Sequence, residues 1–438
     1  MSAQTDLQAR SLAAVWHPCT QMARAAKVPP LPIARGEGPW LYDLDGRRYF
    51  DANSSWWVNL FGHSDAGINA AIKRQLDTLP HVMLAGCTHA PAVELAEKLS
   101  ALTGGNLGHT FFASDGASAV EIALKMSFHS WRNRGQADKK EFVCLKHGYH
   151  GETIGALAVT DVAVFRDAYD PLLMRAHVAL SPDSRLGPEQ EAKALADLRR
   201  VLSERHGLVA ALIIEPLVQC AAGMAMHEPS YLRAVRALCD EFDVHLIADE
   251  IAVGCGRTGT FFACEQAGIW PDFLCLSKGI SGGYLPLSLV LTRDAIYQAF
   301  YSEDIRRGFL HSHSYTGNPL ACRAALATLQ IFREDDVLAQ NRVKSAAMMA
   351  ALAPLAQHAR VANLRQRGTI FAFDAIEPDA NRASTFSRRF FATALEHELM
   401  LRPIGRTVYL MPPYILDPEQ IADLAARTRA VFEATLWN

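Results

Sequence analysis

Residues 244–283 read VHLIADEIAVGCGRTGTFFACEQAGIWPDFLCLSKGISGG. Two short apolar runs, Val244–Ala248 and Phe273–Leu276, each lead to a charged residue, Asp249 and Lys278, 29 positions apart. Apolar runs of this length between polar or glycine-rich stretches predict buried parallel strands. A charge just past such a strand lies at the carboxyl edge of the sheet, where open α/β sheets bind ligands. Desolvating an ammonium is costly, so a lysine there needs a purpose. Forming a Schiff base with a carbonyl removes the charge and supplies one. Asp249 is the residue type that a pyridoxal cofactor needs against its pyridine nitrogen.

Each feature alone is ordinary. A lysine before a glycine is usually a helix or loop charge, and an Asp-Glu pair after a strand also suits a metal in a nucleotide hydrolase. The whole stretch IADEI…GRTG…F…PD…LSKG is more specific, and it resembles the class III aminotransferases, a family of fold-type I pyridoxal-phosphate enzymes. The resemblance implies an α/β fold, with a large domain whose mainly parallel sheet is covered by helices and a smaller α+β domain from both chain ends. Expected boundaries are 1–64 for the arm and part of the small domain, 65–330 for the large domain and 331–438 for the rest. It implies pyridoxal 5′-phosphate on Lys278, with no metal.

Composition agrees with a large enzyme. A chain of 438 residues can bury a substantial core. Half of it is hydrophobic and a fifth charged, with a net charge of −3, so there is no electrostatic footprint for nucleic acid or an anionic membrane. No apolar run reaches the roughly 18 residues of a membrane span, and MSAQTDLQAR shows no signal-peptide pattern. Nine scattered cysteines without a Cys-x-x-Cys pair read as reduced thiols of a cytoplasmic protein.

In chain order, a helix-like start precedes VWHPCTQM, and Pro29, Pro30 and Pro32 then exclude regular helix. This wording resembles a biotin-pathway subgroup of the class III enzymes, in which a tyrosine of the motif touches substrate. Cys19 stands at that position here. Asp45-Gly46 between Trp40-Leu-Tyr-Asp and Arg48-Tyr-Phe-Asp predicts a hairpin. Paired tryptophans such as Trp56 and Trp57 most often pack a core. The subgroup resemblance places the first of them, Trp56, in the substrate site.

A strand at 109–113 leads to SDGASAVEIALKMSFHSW, in which Ser114 or Asp115 can cap a helix. Such a terminus is an anion site, and the family pattern puts Gly116 and Ala117 at the cofactor phosphate. HGYHGET follows the strand 142–145. Tyr149 matches the ring-stacking position, and His150 beside it is equally readable as a structural histidine. The stretch 161–195 reads as a loose connection. The strand 209–214 ends in Glu215, which either orients the cofactor ring or closes a salt bridge.

Beyond Lys278, HSHSYTGNPLACRAALATL at 311–329 is a hydroxyl-rich loop opening a helix. By resemblance, Ser314 reaches the phosphate of the neighbouring subunit's cofactor, with Ser312 and His313 near substrate and phosphate. That implies a homodimer with sites completed in trans. The polar 375–385 stretch reads as a loop, and Asp417-Pro418 with Gln420 as a helix start. Arg402 and Arg406 in LRPIGRTVYLMPPY are ordinarily surface charges, yet an arginine is the natural partner for a carboxylate. Arg402 matches the family's carboxylate-binding position, with Tyr409 near the same pocket.

The resemblance implies a ping-pong transamination in which Lys278 is the proton carrier, with S-adenosylmethionine as donor and 8-amino-7-oxononanoate as acceptor. Rival readings are a class III enzyme for ω-amino acids, a class III aminomutase, and a Rossmann nucleotide binder. No Gly-x-Gly-x-x-Gly opens a helix at the first strand–helix turn, as the last would require.

Overall fold

In a computed structural model, residues 3–26 and 28–437 are described. A seven-stranded sheet forms the centre. Its order is His109–Ala113, Ser288–Thr292, Phe273–Leu276, His245–Asp249, Val209–Ile214, Glu141–Leu145 and Ala176–Ala179. Ser288–Thr292 runs antiparallel to both neighbours, and the remaining pairings are parallel. Val209–Ile214, His245–Asp249 and Phe273–Leu276 are buried along their whole length. Apolar side chains on both faces of these strands explain why they read as continuous runs rather than alternating ones.

Helices cover both faces. Gly116–Asn133 is capped by Asp115, whose carboxylate accepts from Ser118 N at 2.9 Å and Ser118 Oγ at 2.7 Å. Pro229–Glu241 starts on a proline, where the missing N–H costs nothing. Pro319–Glu334 starts after Asn318, which accepts from Leu320 N and Ala321 N.

The chain ends share a second core. The hairpin Trp40–Asp43 and Arg48–Asp51 turns at Gly46, whose φ of +83° favours glycine, and the latter strand pairs in parallel with Leu399–Met400. Phe50 is buried with Phe371, Phe373, Phe386, Phe390 and Phe432. A three-stranded antiparallel sheet, Val361–Arg367, Ile370–Ala375 and Thr407–Leu410, lies among the helices Val337–Leu352, Ala380–Glu396 and Pro418–Trp437. Asp417 and Gln420 cap the last helix reciprocally.

Two expectations need correction. The 161–195 stretch contains the edge strand Ala176–Ala179, which buries only Ala179 fully and carries too little pattern to announce it. The 375–385 stretch is not all loop. Asp379 accepts from Arg382 N at 2.9 Å and starts a helix at Ala380, and the polar residues are that helix's first turns before Phe386 anchors it. Among the described residues no helix is long and apolar enough to cross a membrane.

Candidate active site

Five chain segments meet at the carboxyl edge of the central sheet. Asp249 ends its strand and Lys278 begins a short turn, Lys278–Ser281, just after the neighbouring one. Parallel pairing of Asp249 with Cys275 puts both groups at one edge. The half-buried Lys278 amine makes no hydrogen bond or ion pair among the described residues, and its nitrogen lies 5.2 Å from the centre of the Trp57 ring. Burial pushes this amine below the usual lysine value, against the pull of Asp249, Cys220 and Glu215. A lysine so placed reaches its neutral, nucleophilic form more readily than one in water.

Asp249 is buried and held by two donors. His150 Nδ1 lies 2.7 Å from Oδ2, and Ile251 N donates to Oδ1 at 3.1 Å. The other ring nitrogen of the buried His150 has no hydrogen-bond partner among the described residues. Glu215 closes no salt bridge among the described residues. It accepts from Tyr149 N at 3.0 Å and Cys220 N at 2.9 Å, tying two strand ends together, and burial raises its carboxyl to about 7. Tyr149 donates its hydroxyl to Glu152 at 2.9 Å, and burial and that carboxylate hold its phenol well above the ordinary value.

Gly116 and Ala117 open their helix beside this cluster. A Cβ at Gly116 would sit 3.1 Å from two carbons of Ile251, the residue whose amide holds Asp249, and one at Gly151 would sit 2.6 Å from Ala117 Cβ. Small residues therefore let three loops converge on one helix terminus whose backbone N–H groups favour an anion.

A second set of residues faces the same mouth. Cys19 is exposed on the N-terminal arm, where partial burial raises its thiol pKa and Glu152 and Arg402 act on it in opposite senses. The Arg402 backbone N–H donates to Asn53 Oδ1 at 3.0 Å, while its exposed guanidinium has no hydrogen bond or ion pair among the described residues. Tyr409 Oη accepts from Trp57 Nε1 at 3.1 Å, and burial pushes its phenol up to about 12. The two tryptophans separate sharply: Trp57 is 6% exposed and packed on the lysine, whereas Trp56 is 53% exposed.

Not every candidate converges within one chain. Ser312 and Ser314 are exposed in the 308–318 loop, and no described contact joins them or His313 to Asp249 or Lys278. His311 of that loop lies 2.8 Å from Lys125 and 3.3 Å from His313. The contact between Trp57 and Lys278 and the tethering role of Glu215 went unread in the sequence. A Trp-Trp pair shows only that one ring packs, and a glutamate after a strand does not reveal which amides it accepts.

The geometry fits pyridoxal phosphate: an unpaired lysine amine, a buried carboxylate fixed by a histidine, and a helix terminus opened by small residues. The class-III aminotransferase family matches residues 21–432. The chain is 44% identical to the adenosylmethionine-8-amino-7-oxononanoate aminotransferase of Helicobacter pylori, over 97% of each chain. The crystal structure of the like-named enzyme from Methanocaldococcus jannaschii superposes with a TM-score of 0.93 at 36% identity, covering 98% of this chain and 99% of that one. A PLP-bound amine transaminase from an uncultivated Pseudomonas species gives 0.91 at 31% identity, over 96% and 98%.

Proposed function

Because the chain belongs to the class-III aminotransferase family, we propose that it transfers the amino group of S-adenosylmethionine to 8-amino-7-oxononanoate, giving 7,8-diaminononanoate for biotin synthesis. The observation that carries transamination is the unpaired Lys278 amine at the same sheet edge as the Asp249–His150 pair. The name shared by near-full-length relatives supports the substrates.

Pyridoxal 5′-phosphate, when bound, supplies a carbonyl for the lysine and a ring that takes up electron density from the substrate carbon. Lys278 is the residue to hold it and, once released, to carry the proton to and from the substrate carbon. Asp249 is the partner for a protonated ring nitrogen, and the hydrogen bonds from His150 and Ile251 fix its carboxylate. Gly116 and Ala117 offer backbone N–H groups to the phosphate, and Tyr149 the stacking ring. Arg402, with no carboxylate partner among the described residues, suits the carboxylate of the acceptor. Trp56, Tyr409, Cys19 and Ser312 complete the substrate surface in this reading. His313 and Ser314 serve the cofactor phosphate of the partner subunit in a homodimer; no described contact joins them to Asp249 or Lys278 of their own chain. All nine cysteines are free, as a reducing cytoplasm would keep them.

The test is product formation from 8-amino-7-oxononanoate with S-adenosylmethionine, with lysine, and with an ω-amino acid as donor. Diamine formed with S-adenosylmethionine alone is the expected result. Diamine formed only with lysine overturns the donor. No diamine with any donor, together with turnover of ω-amino acids on a simple keto acid, overturns the acceptor as well.

A further inference from the structure

The segment between the hairpin and the large domain contains four consecutive non-glycine residues in the left-handed region. Ser54, Ser55, Trp56 and Trp57 have φ of +47°, +46°, +72° and +75°. L-residues avoid this region because Cβ crowds the following carbonyl, and a run of four persists only where its surroundings impose it.

Asp51 is the most connected of those surroundings. It is 1% exposed. Its Oδ1 accepts from Ser55 N at 2.9 Å, and its Oδ2 accepts from Ser55 Oγ at 2.7 Å and from His63 Nε2 at 2.9 Å. His63 Nδ1 lies 3.0 Å from Asn59 Nδ2 and so accepts there, which leaves the ring proton on Nε2, directed at Asp51. Ser54 Oγ donates to Met411 O at 2.7 Å and Asn53 Nδ2 to Tyr409 O at 3.0 Å, pinning the flanks. The turn also presses on the lysine loop, since a Cβ at Gly283 would lie 2.9 Å from the backbone of Asn59. Its last residue is Trp57, whose ring faces the Lys278 amine at 5.2 Å.

We propose that Asp51 is a positioning residue for the reaction: by holding residues 54–57 in a left-handed turn it fixes the Trp57 ring against Lys278 and so limits where that amine can swing. This rests on Lys278 being the reacting lysine. A relaxed, right-handed turn would carry the two indoles to other sides of the chain. The amine would then lose one wall of its site while Arg402 and the sheet edge stayed in place.

The test compares Asp51→Ala, Asp51→Asn and Asp51→Ala with Ser55→Gly, by steady-state kinetics and by crystal structures. Displacing a reacting group by about 1 Å costs on the order of 100-fold in rate. Asp51→Ala is therefore expected to lose about that factor in kcat, with the acceptor KM little changed, and to show negative φ at 54–57 with the Trp57 ring withdrawn from Lys278. Asp51→Asn still accepts from Ser55 N but turns its amide N–H toward His63 Nε2–H, so it is expected to fall between wild type and Asp51→Ala. Glycine tolerates positive φ, so Ser55→Gly in the alanine background recovers about tenfold. Wild-type kcat in Asp51→Ala, an unchanged turn despite lost activity, or no recovery with Ser55→Gly each overturns the proposal. If Asp51→Ala does not fold, Ser55→Ala replaces it, with a severalfold loss expected and no loss overturning. Full activity in Lys278→Ala would instead overturn the underlying lysine assignment while leaving the turn geometry to be judged by the crystal structures alone.

Discussion

The two sides of the candidate site are built in opposite ways. On one side Asp249, Lys278, Glu215 and His150 each follow a strand of a single sheet, and three of the four are buried. On the other, Cys19, Trp56 and Arg402 are exposed and come from separate segments. The hydrogen bond from Asn53 Nδ2 to Tyr409 O, for example, spans 356 residues. The first side is rigid because its residues inherit the register of the sheet. The second depends on side-chain bonds between the chain ends. A scaffold of this kind keeps the bond-making groups fixed and leaves substrate choice to segments that vary without disturbing the sheet.

If that division is right, substitutions on the two sides should fail differently. Lys278→Ala removes the proposed proton carrier and should lower kcat by about 10,000-fold, with the thermal midpoint close to wild type because the amine makes no hydrogen bond or ion pair among the described residues. Circular dichroism melting and single-turnover rates check both parts, and full activity would break the assignment. Arg402→Ala is the matching change opposite. Loss of a charged hydrogen bond to substrate should raise the acceptor KM by about 10- to 100-fold with little change in kcat. A fall in kcat at constant KM would merge the two sides into one.

The rigid side owes its order to the sheet, and buried titratable groups tie that order to pH. His227 is fully buried with its proton affinity lowered to about 4, and His245 nearly so with its own lowered to about 3, in both cases mainly by burial. His227 Nε2 accepts from Leu217 N, which requires the neutral ring. Unfolding restores an ordinary pKa near 6.5, so below that pH these two rings bind more protons in the unfolded chain and their contribution to stability falls as pH falls. Each histidine should cost about 1.4 kcal/mol per pH unit between roughly 6.5 and its folded value. Glu215 and Glu250, each raised to about 7 by burial, act in the opposite sense over the same range, so the histidines are followed directly: their ring-proton NMR shifts should hold the neutral value from pH 8 to 5, and titration near the ordinary value would show that neither is held neutral.

The same contrast explains what the sequence disclosed. Phe273–Leu276 and Val209–Ile214 are uninterrupted apolar runs, so their strands were legible from pattern alone, while Lys278 was picked out by the resemblance and the role of Glu215 was left open. Ala176–Ala179 sits at the sheet edge with only Ala179 fully buried and without such a run, and stayed hidden. Arg402 and Trp56 were picked out by resemblance, since no local periodicity connects them to Lys278. The left-handed turn was beyond reach, because Ser-Ser-Trp-Trp carries no glycine to signal positive φ and the constraint comes from Asp51, His63 and the distant Met411 carbonyl.

The central claim is that this chain takes its amino group from S-adenosylmethionine and delivers it to the precursor of 7,8-diaminononanoate. The most direct measurement mixes the purified holoenzyme separately with S-adenosylmethionine, 7,8-diaminononanoate, lysine and an ω-amino acid, and follows the visible absorbance of the bound cofactor. Loss of absorbance with S-adenosylmethionine and the diamine is the predicted result. Loss with ω-amino acids alone would contradict it, leaving the fold and the lysine in place and assigning the enzyme a different substrate pair.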